Sequence, residues 1–491
     1  MINKNIKNIS KKFSLLLLVL VAVQNYLSAQ IVLPKIISNN MVLQRNKPVV
    51  IWGLAAAGEH ITVKFSNQVK VAVADTSKHW QVVLDPMEAS ANPREMIISG
   101  SNAVKLENIL VGEVWLCSGQ SNMEYSMRKH CKIAEMKGEK ASKNELALAK
   151  NPNIRIFLVN RKFMSPDPRH KGWEIAQDSA LKLFSAVGYF YGKELYKNLN
   201  VPIGMISSAV SGSAIEPWLP SDAAMKLKEN DFIKKNSEHG KFYSSMISPL
   251  APFTISGFLW YQGETNCFLN EDVQYAYKMR LLINIWRKAW ANDSLPFYFV
   301  QIAPFSYSQS KGKEVLTKET LPKFREAQTF ALNIPHTGMV VITDLNDSIS
   351  ELHPFHKPEV ARRLSLWALA KVYGKNTVYS GPVYKQMKIK GSKIELEFDY
   401  CGSGLVSRDG KPLDWFEISG ADGIFVPAQA EIKGNKVIVS AVSVRSPRAV
   451  RFGWDETARP NLFNKEGLPA ASFRTDNPLL KEYLKIYHNL N

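Results

Sequence analysis

The chain has 491 residues, 45% of them hydrophobic, with 62 Lys and Arg against 44 Asp and Glu and a formal net charge of +18. That length and apolar content predict two or three domains with sizeable cores and exclude a disordered chain. The positive balance is spread along the sequence and never gathers on one helix or loop with interleaved aromatics, so a nucleic-acid binder is not expected.

At the N-terminus, Lys4, Lys7, Lys11 and Lys12 precede an uncharged apolar run over 13–23 and a small-residue end at Ser28-Ala29. This pattern predicts a cleaved secretory signal peptide over residues 1–29, whose apolar part falls short of the about 20 residues needed to span a bilayer. A periplasmic or secreted protein without a membrane span is the expectation. From 30 to 108, short alternating runs at 49–52, 61–65, 71–73 and 80–84 are punctuated by Gly, Asn and Pro, which predicts an antiparallel β-sandwich. From 109 to 375, apolar runs at 114–117, 154–159, 203–208, 257–260, 297–302 and 339–343 alternate with helical stretches such as 184–199, 272–290 and 358–372. In the second of these, Val273, Ala276, Met279, Ile283 and Trp286 recur every three or four residues. Alternation of this kind predicts a parallel sheet between helices, an α/β/α three-layer domain. Lysine-rich 129–150, with Glu135, Glu139 and Glu145 interspersed, reads as a solvated insertion beside the active site. After 375 the period returns to two, with Ile394, Leu396 and Phe398 alternating with acids, and predicts a C-terminal β-rich domain over 376–491.

Ser121, in Trp115-Leu-Cys-Ser-Gly-Gln-Ser-Asn-Met123, stands at a polar turn directly after an apolar run. A hydroxyl is a poor nucleophile at neutral pH and needs a histidine base and oxyanion donors from elsewhere. His353, in Glu-Leu-His-Pro, offers the base; Gly212 and Asn266 each follow a strand-like run and offer donors. The segment Gly119-Gln-Ser-Asn-Met123 lacks the second glycine of the G-x-S-x-G elbow, which excludes that fold's signature. The cysteines Cys117, Cys131, Cys267 and Cys401 permit disulfides in an exported protein, but their spacing is not that of a disulfide-dense scaffold. His353 and His356 have metal-like spacing, yet Pro354 disfavours a shared helical face and no ligand cluster completes a metal site.

With Ser121, Gly212, Asn266 and His353 in that order, the chain resembles the SGNH hydrolases, and within them the sialate O-acetylesterase family of carbohydrate acetylesterases. The likeness extends to Asn40-Met-Val-Leu-Gln-Arg45, Trp260-Tyr-Gln-Gly-Glu-Thr-Asn266 and Gly467-Leu-Pro-Ala-Ala-Ser-Phe-Arg474. It implies an SGNH-type, flavodoxin-like catalytic domain, a Ser121 nucleophile, a His353 base, and an oxyanion hole from Ser121, Gly212 and Asn266, with no metal or organic cofactor. One position departs from the general pattern: where an Asp three residues before the His orients the ring, this chain has Ser350. Glu351 is the first choice for the orienting acid, Asp347 the second, and a Ser-His dyad the third. Gln120, Trp218, Glu264 and Arg325 are candidate substrate contacts, with Arg128 a second cation for a sugar carboxylate. The implied activity is hydrolysis of O-acetyl esters of sialic acid; the alternatives are acetylated xylan or pectin as substrate, or a non-catalytic carbohydrate-binding protein on the same fold.

Overall fold

In a computed structural model, residues 30–159, 172–223, 225 and 240–488 are described; the expected signal peptide lies outside them. Six strands run parallel across the centre in the order Thr337–Val340, Phe297–Val300, Gly257–Tyr261, Ala103–Gly119, Ile203–Ala209 and Ile154–Leu158, and Trp173–Ile175 closes one edge antiparallel. The expected helices appear at Ala186–Leu199, Val273–Ala289 and Lys357–Lys371. Two apolar cores flank the sheet: Trp218, Trp260, Trp286 and Phe258 in one, Trp115, Tyr191, Leu259 and Trp367 in the other. Strands such as Gly257–Tyr261 are buried at every position, which explains why they read as unbroken apolar runs.

The N-terminal β-region is joined to this sheet more closely than its sequence suggests. Strand Ala103–Gly119 runs for 17 residues through the expected boundary at 108. Its first half pairs with Ser90–Ser99 and its second half with the central parallel strands. The Asn40–Arg45 segment enters the same assembly: Val42–Gln44 pairs with this strand, and the buried Glu113 carboxylate accepts from Gln44 at 2.9 Å, Arg45 at 2.5 Å and Tyr373 at 3.0 Å. A buried carboxylate without such donors would cost several kcal/mol, so these contacts fix the base of the sheet. Strands Val49–Leu54 and His79–Leu84 form a separate pair.

Beyond 375, strands gather in two four-stranded sheets and one pair around a third core that includes Ile394, Leu396, Ile418, Val437 and Phe452. The chain then adds a helix, Leu480–His488, that the period-two reading did not anticipate; its Tyr483 stacks on Phe330, at the end of helix Thr320–Phe330, with centroids 4.1 Å apart. All four cysteines are buried and free. Among the described residues, no helix is long and apolar enough to cross a membrane.

Candidate active site

The register of the sheet brings the expected segments to one edge. Gly119, the last residue of its strand, pairs with Ala209 on one side and Tyr261 on the other. The three strands therefore end level, and the segments that follow them, Gln120–Ser121, Ser211–Gly212 and Gln262–Asn266, lie together. This is the carboxyl edge beside the strand at which the sheet order reverses, where ligands of open parallel sheets bind. Gly119 has φ +137°, and a Cβ there would sit 2.2 Å from the Tyr261 carbonyl oxygen. Only glycine permits the sharp turn that sets Ser121 at the first position of helix Ser121–Glu124.

His353 arrives on the loop between strand Thr337–Val340 and helix Lys357–Lys371. Its Nε2 lies 2.8 Å from Ser121 Oγ. Burial lowers its pKa to about 4, helped by Lys129 and Lys357 and opposed by Glu351, so the ring is neutral at pH 7 and ready to accept a proton. Glu351 Oε1 accepts from the His353 backbone N–H at 2.8 Å and lies 3.8 Å from Nδ1, outside hydrogen-bonding range but close enough to act as a charge. Asp347, the second choice for the acid, is engaged elsewhere: Lys137 Nζ is 2.6 Å from Oδ2 and His356 Nε2 is 3.0 Å from Oδ1. Asp347 is thus paired with Lys137 and His356, and the two histidines have different carboxylate neighbours. Lys137 belongs to the lysine-rich segment, which forms helices Met127–Met136, Lys140–Lys143 and Glu145–Leu148 and stands against the histidine loop.

Gly212 lies in the exposed turn after strand Ile203–Ala209, with φ +73°. The preceding Ser211 is held by Glu124 of the helix that Ser121 begins; Glu124 Oε2 accepts from Ser211 N at 2.6 Å and from its hydroxyl. Among the described residues, the backbone N–H groups of Ser121 and Gly212 have no protein acceptor.

Asn266 departs from expectation. Its Nδ2 donates toward Glu271 Oε2 at 3.1 Å and Glu216 Oε2 at 3.3 Å, and its Oδ1 accepts from Ile215 N and Gln262 Nε2. Lys278 bridges the same two carboxylates at 2.5 and 2.6 Å. The amide is fully buried and committed to this cluster, so it is not presented to a substrate.

The four candidate sugar contacts are also buried: Gln120, Trp218, Glu264 and Arg325 are 2%, 0%, 2% and 0% exposed. Gln120 Oε1 accepts from Gly263 N and Thr265 N, tying two turns together. Trp218 donates to Ser213 Oγ and packs edge-on against Trp260 and Trp286. Arg325 donates from Nε to the Ile302 carbonyl. Glu264 accepts from Asn122 at 2.5 Å, and burial raises its pKa. None of the four can wall a sugar, and Arg325 cannot meet a carboxylate; Arg128 and Lys129 are exposed, and the charge of Lys129 acts on His353. Sequence reasoning overlooked Asn122, Glu124 and Lys357, although the first two adjoin Ser121 and the third follows His353 by four residues.

A serine and a histidine in hydrogen-bond contact at the carboxyl edge of a parallel sheet are the mark of an α/β hydrolytic enzyme. The chain belongs to the carbohydrate esterases of the sialic acid-specific acetylesterase family, whose model matches residues 111–365. It is a carboxylic ester hydrolase. The sialate O-acetylesterase of Homo sapiens is 29% identical over 429 residues, covering 78% of this chain and 79% of the human protein; that of Rattus norvegicus is 28% identical over 493 residues, covering 85% and 88%. Among solved structures, a carbohydrate acetylesterase from Xanthomonas citri is 36% identical and covers 91% of this chain and 100% of its own, with a TM-score of 0.80.

Proposed function

We propose that this chain is an exported esterase that removes O-acetyl groups from sialic acids through a Ser121–His353 mechanism with an acetyl-enzyme intermediate. The observation that carries the reading is the 2.8 Å contact between Ser121 Oγ and His353 Nε2. Oγ attacks the acetyl carbonyl while its proton passes to Nε2. The ester C–O bond then breaks, His353 returns the proton to the departing sugar oxygen, and the acetyl group remains on Ser121 Oγ. Water adds to the acetyl group with His353 taking its proton, and collapse releases acetic acid and restores the serine hydroxyl. The backbone N–H groups of Ser121 and Gly212 supply the oxyanion donors. Glu351 acts on the imidazolium as a nearby negative charge. The catalytic unit is read as residues 109–375, flanked by β-rich units over 30–108 and 376–491.

A second reading, acetylated xylan or pectin as substrate, gains from the burial of Arg325, which removes one of the cations expected to meet a sialate carboxylate. Acetate release from O-acetylated N-acetylneuraminic acid and from acetylated xylo-oligosaccharide, compared as kcat/KM, decides between them. A higher value for the sialic acid supports the proposal; a higher value for the xylo-oligosaccharide overturns it in favour of the second reading. Turnover of neither, nor of an aryl acetate, would return the chain to a carbohydrate-binding role.

A further inference from the structure

We propose that Lys357 is a positioning residue for the catalytic pair, acting through Asn122 to lock the histidine loop onto the helix that carries Ser121. Lys357 Nζ donates to Asn122 Oδ1 at 2.6 Å. That bond fixes which end of the Asn122 amide is the donor, and Nδ2 then gives its hydrogens to the Leu352 carbonyl at 3.1 Å and to Glu264 at 2.5 Å. Asn122 is the residue after Ser121, and Leu352 is the residue before His353. One amide therefore spans the two catalytic segments, and Lys357 sets its orientation. The lysine is fully buried between the ring faces of Tyr125, 4.8 Å away, and Tyr261, 5.2 Å away. Among the described residues no carboxylate pairs with it directly. An ammonium placed there at the cost of its hydration does something that a packed apolar residue would not.

Its charge has a second consequence. Lys357, Lys129 and Glu351 all act on His353, and Lys357 also faces Glu264 and His130. A positive charge beside the imidazole disfavours the imidazolium and keeps the base neutral into acid pH. Burial lowers the pKa of Lys357 itself to about 7, so the charge is present on the acid side, where His353 titrates.

The inference rests on the Ser121–His353 reading and is tested by pH profiles of aryl acetate hydrolysis for two variants, Lys357→Met and Asn122→Ala. Both should lower the plateau kcat about tenfold or more through misplacement of the pair, with KM changed far less. Only Lys357→Met should also move the acid limb to higher pH, by about one unit; a merely structural role would leave that limb in place. A folded Lys357→Met protein with a plateau within threefold of the parent, or with an unmoved acid limb, overturns the proposal. If that variant does not fold, Asn122→Ala within threefold of the parent overturns it instead. Ser121→Ala run alongside separates this outcome from failure of the mechanism, because retained activity in that variant indicts the nucleophile and not the lysine.

Discussion

Replacing Glu351 by glutamine isolates the charge of the carboxylate beside His353, because the glutamine oxygen can still accept from the His353 backbone N–H as Glu351 Oε1 does at 2.8 Å. The carboxylate stands 3.8 Å from Nδ1. At that separation a unit charge stabilises the imidazolium by about 1 kcal/mol in bulk water and about 4 kcal/mol at an effective dielectric of 20. Glu351 is 53% exposed, and solvent screening places the pair near the lower figure. The expected loss is therefore about fivefold to tenfold in kcat, far below the roughly 10⁴ of a fully hydrogen-bonded triad acid. Removing the negative charge also lowers the His353 pKa below its present value of about 4, so the acid limb of kcat/KM moves to lower pH, opposite to the shift expected for Lys357→Met. Aryl acetate hydrolysis followed across the acid range measures both effects in one experiment. A loss below about threefold with an unmoved limb would make the site a dyad in which Glu351 only shapes the loop. A loss near 10⁴ would mean that the carboxylate closes onto Nδ1 during turnover.

Asn266→Ala should act on stability before catalysis: it leaves the buried carboxylates of Glu216 and Glu271 short of a donor, a cost of about 1–3 kcal/mol, seen as a lowered Tm, while the folded fraction keeps kcat within about tenfold. An unchanged Tm with kcat down by about 10² to 10³ would restore Asn266 as an oxyanion donor. Because Lys129 is an exposed cation whose charge acts on His353, the preference for O-acetylated sialic acid over acetylated xylo-oligosaccharide should narrow as salt screens the attraction. A salt-independent preference would place recognition on neutral contacts.

The central strands were legible because each is a short, fully buried parallel strand, which leaves an unbroken apolar run in the sequence. Their level ends followed from the same runs, and with them the convergence of Ser121 and Gly212. The boundary read at 108 falls inside a continuous strand, and the burial of that strand explains why. Strand Ala103–Gly119 is partly exposed over its first six residues and buried throughout its last eleven, so one strand changes hydrophobic pattern midway and imitates two elements. Side-chain orientation was not legible. Asn266 follows a strand as an oxyanion donor would, but its partner Glu216 comes from a segment 50 residues away, is itself held by Lys278, and turns the amide inward. Trp218 and Arg325 illustrate the same gap: aromatic and cationic residues near a site in sequence belong as readily to the core beneath it. Asp347 and Glu351 flank the histidine loop, and only the contacts with Lys137 and His356 separate them.

The most direct test of the account is acetate release from O-acetylated N-acetylneuraminic acid by the parent protein and by Ser121→Ala, with folding of both checked by circular dichroism. The account predicts turnover by the parent and a fall of about 10⁴-fold or more in the variant, with an unchanged spectrum. Activity of a folded Ser121→Ala protein within tenfold of the parent would contradict it.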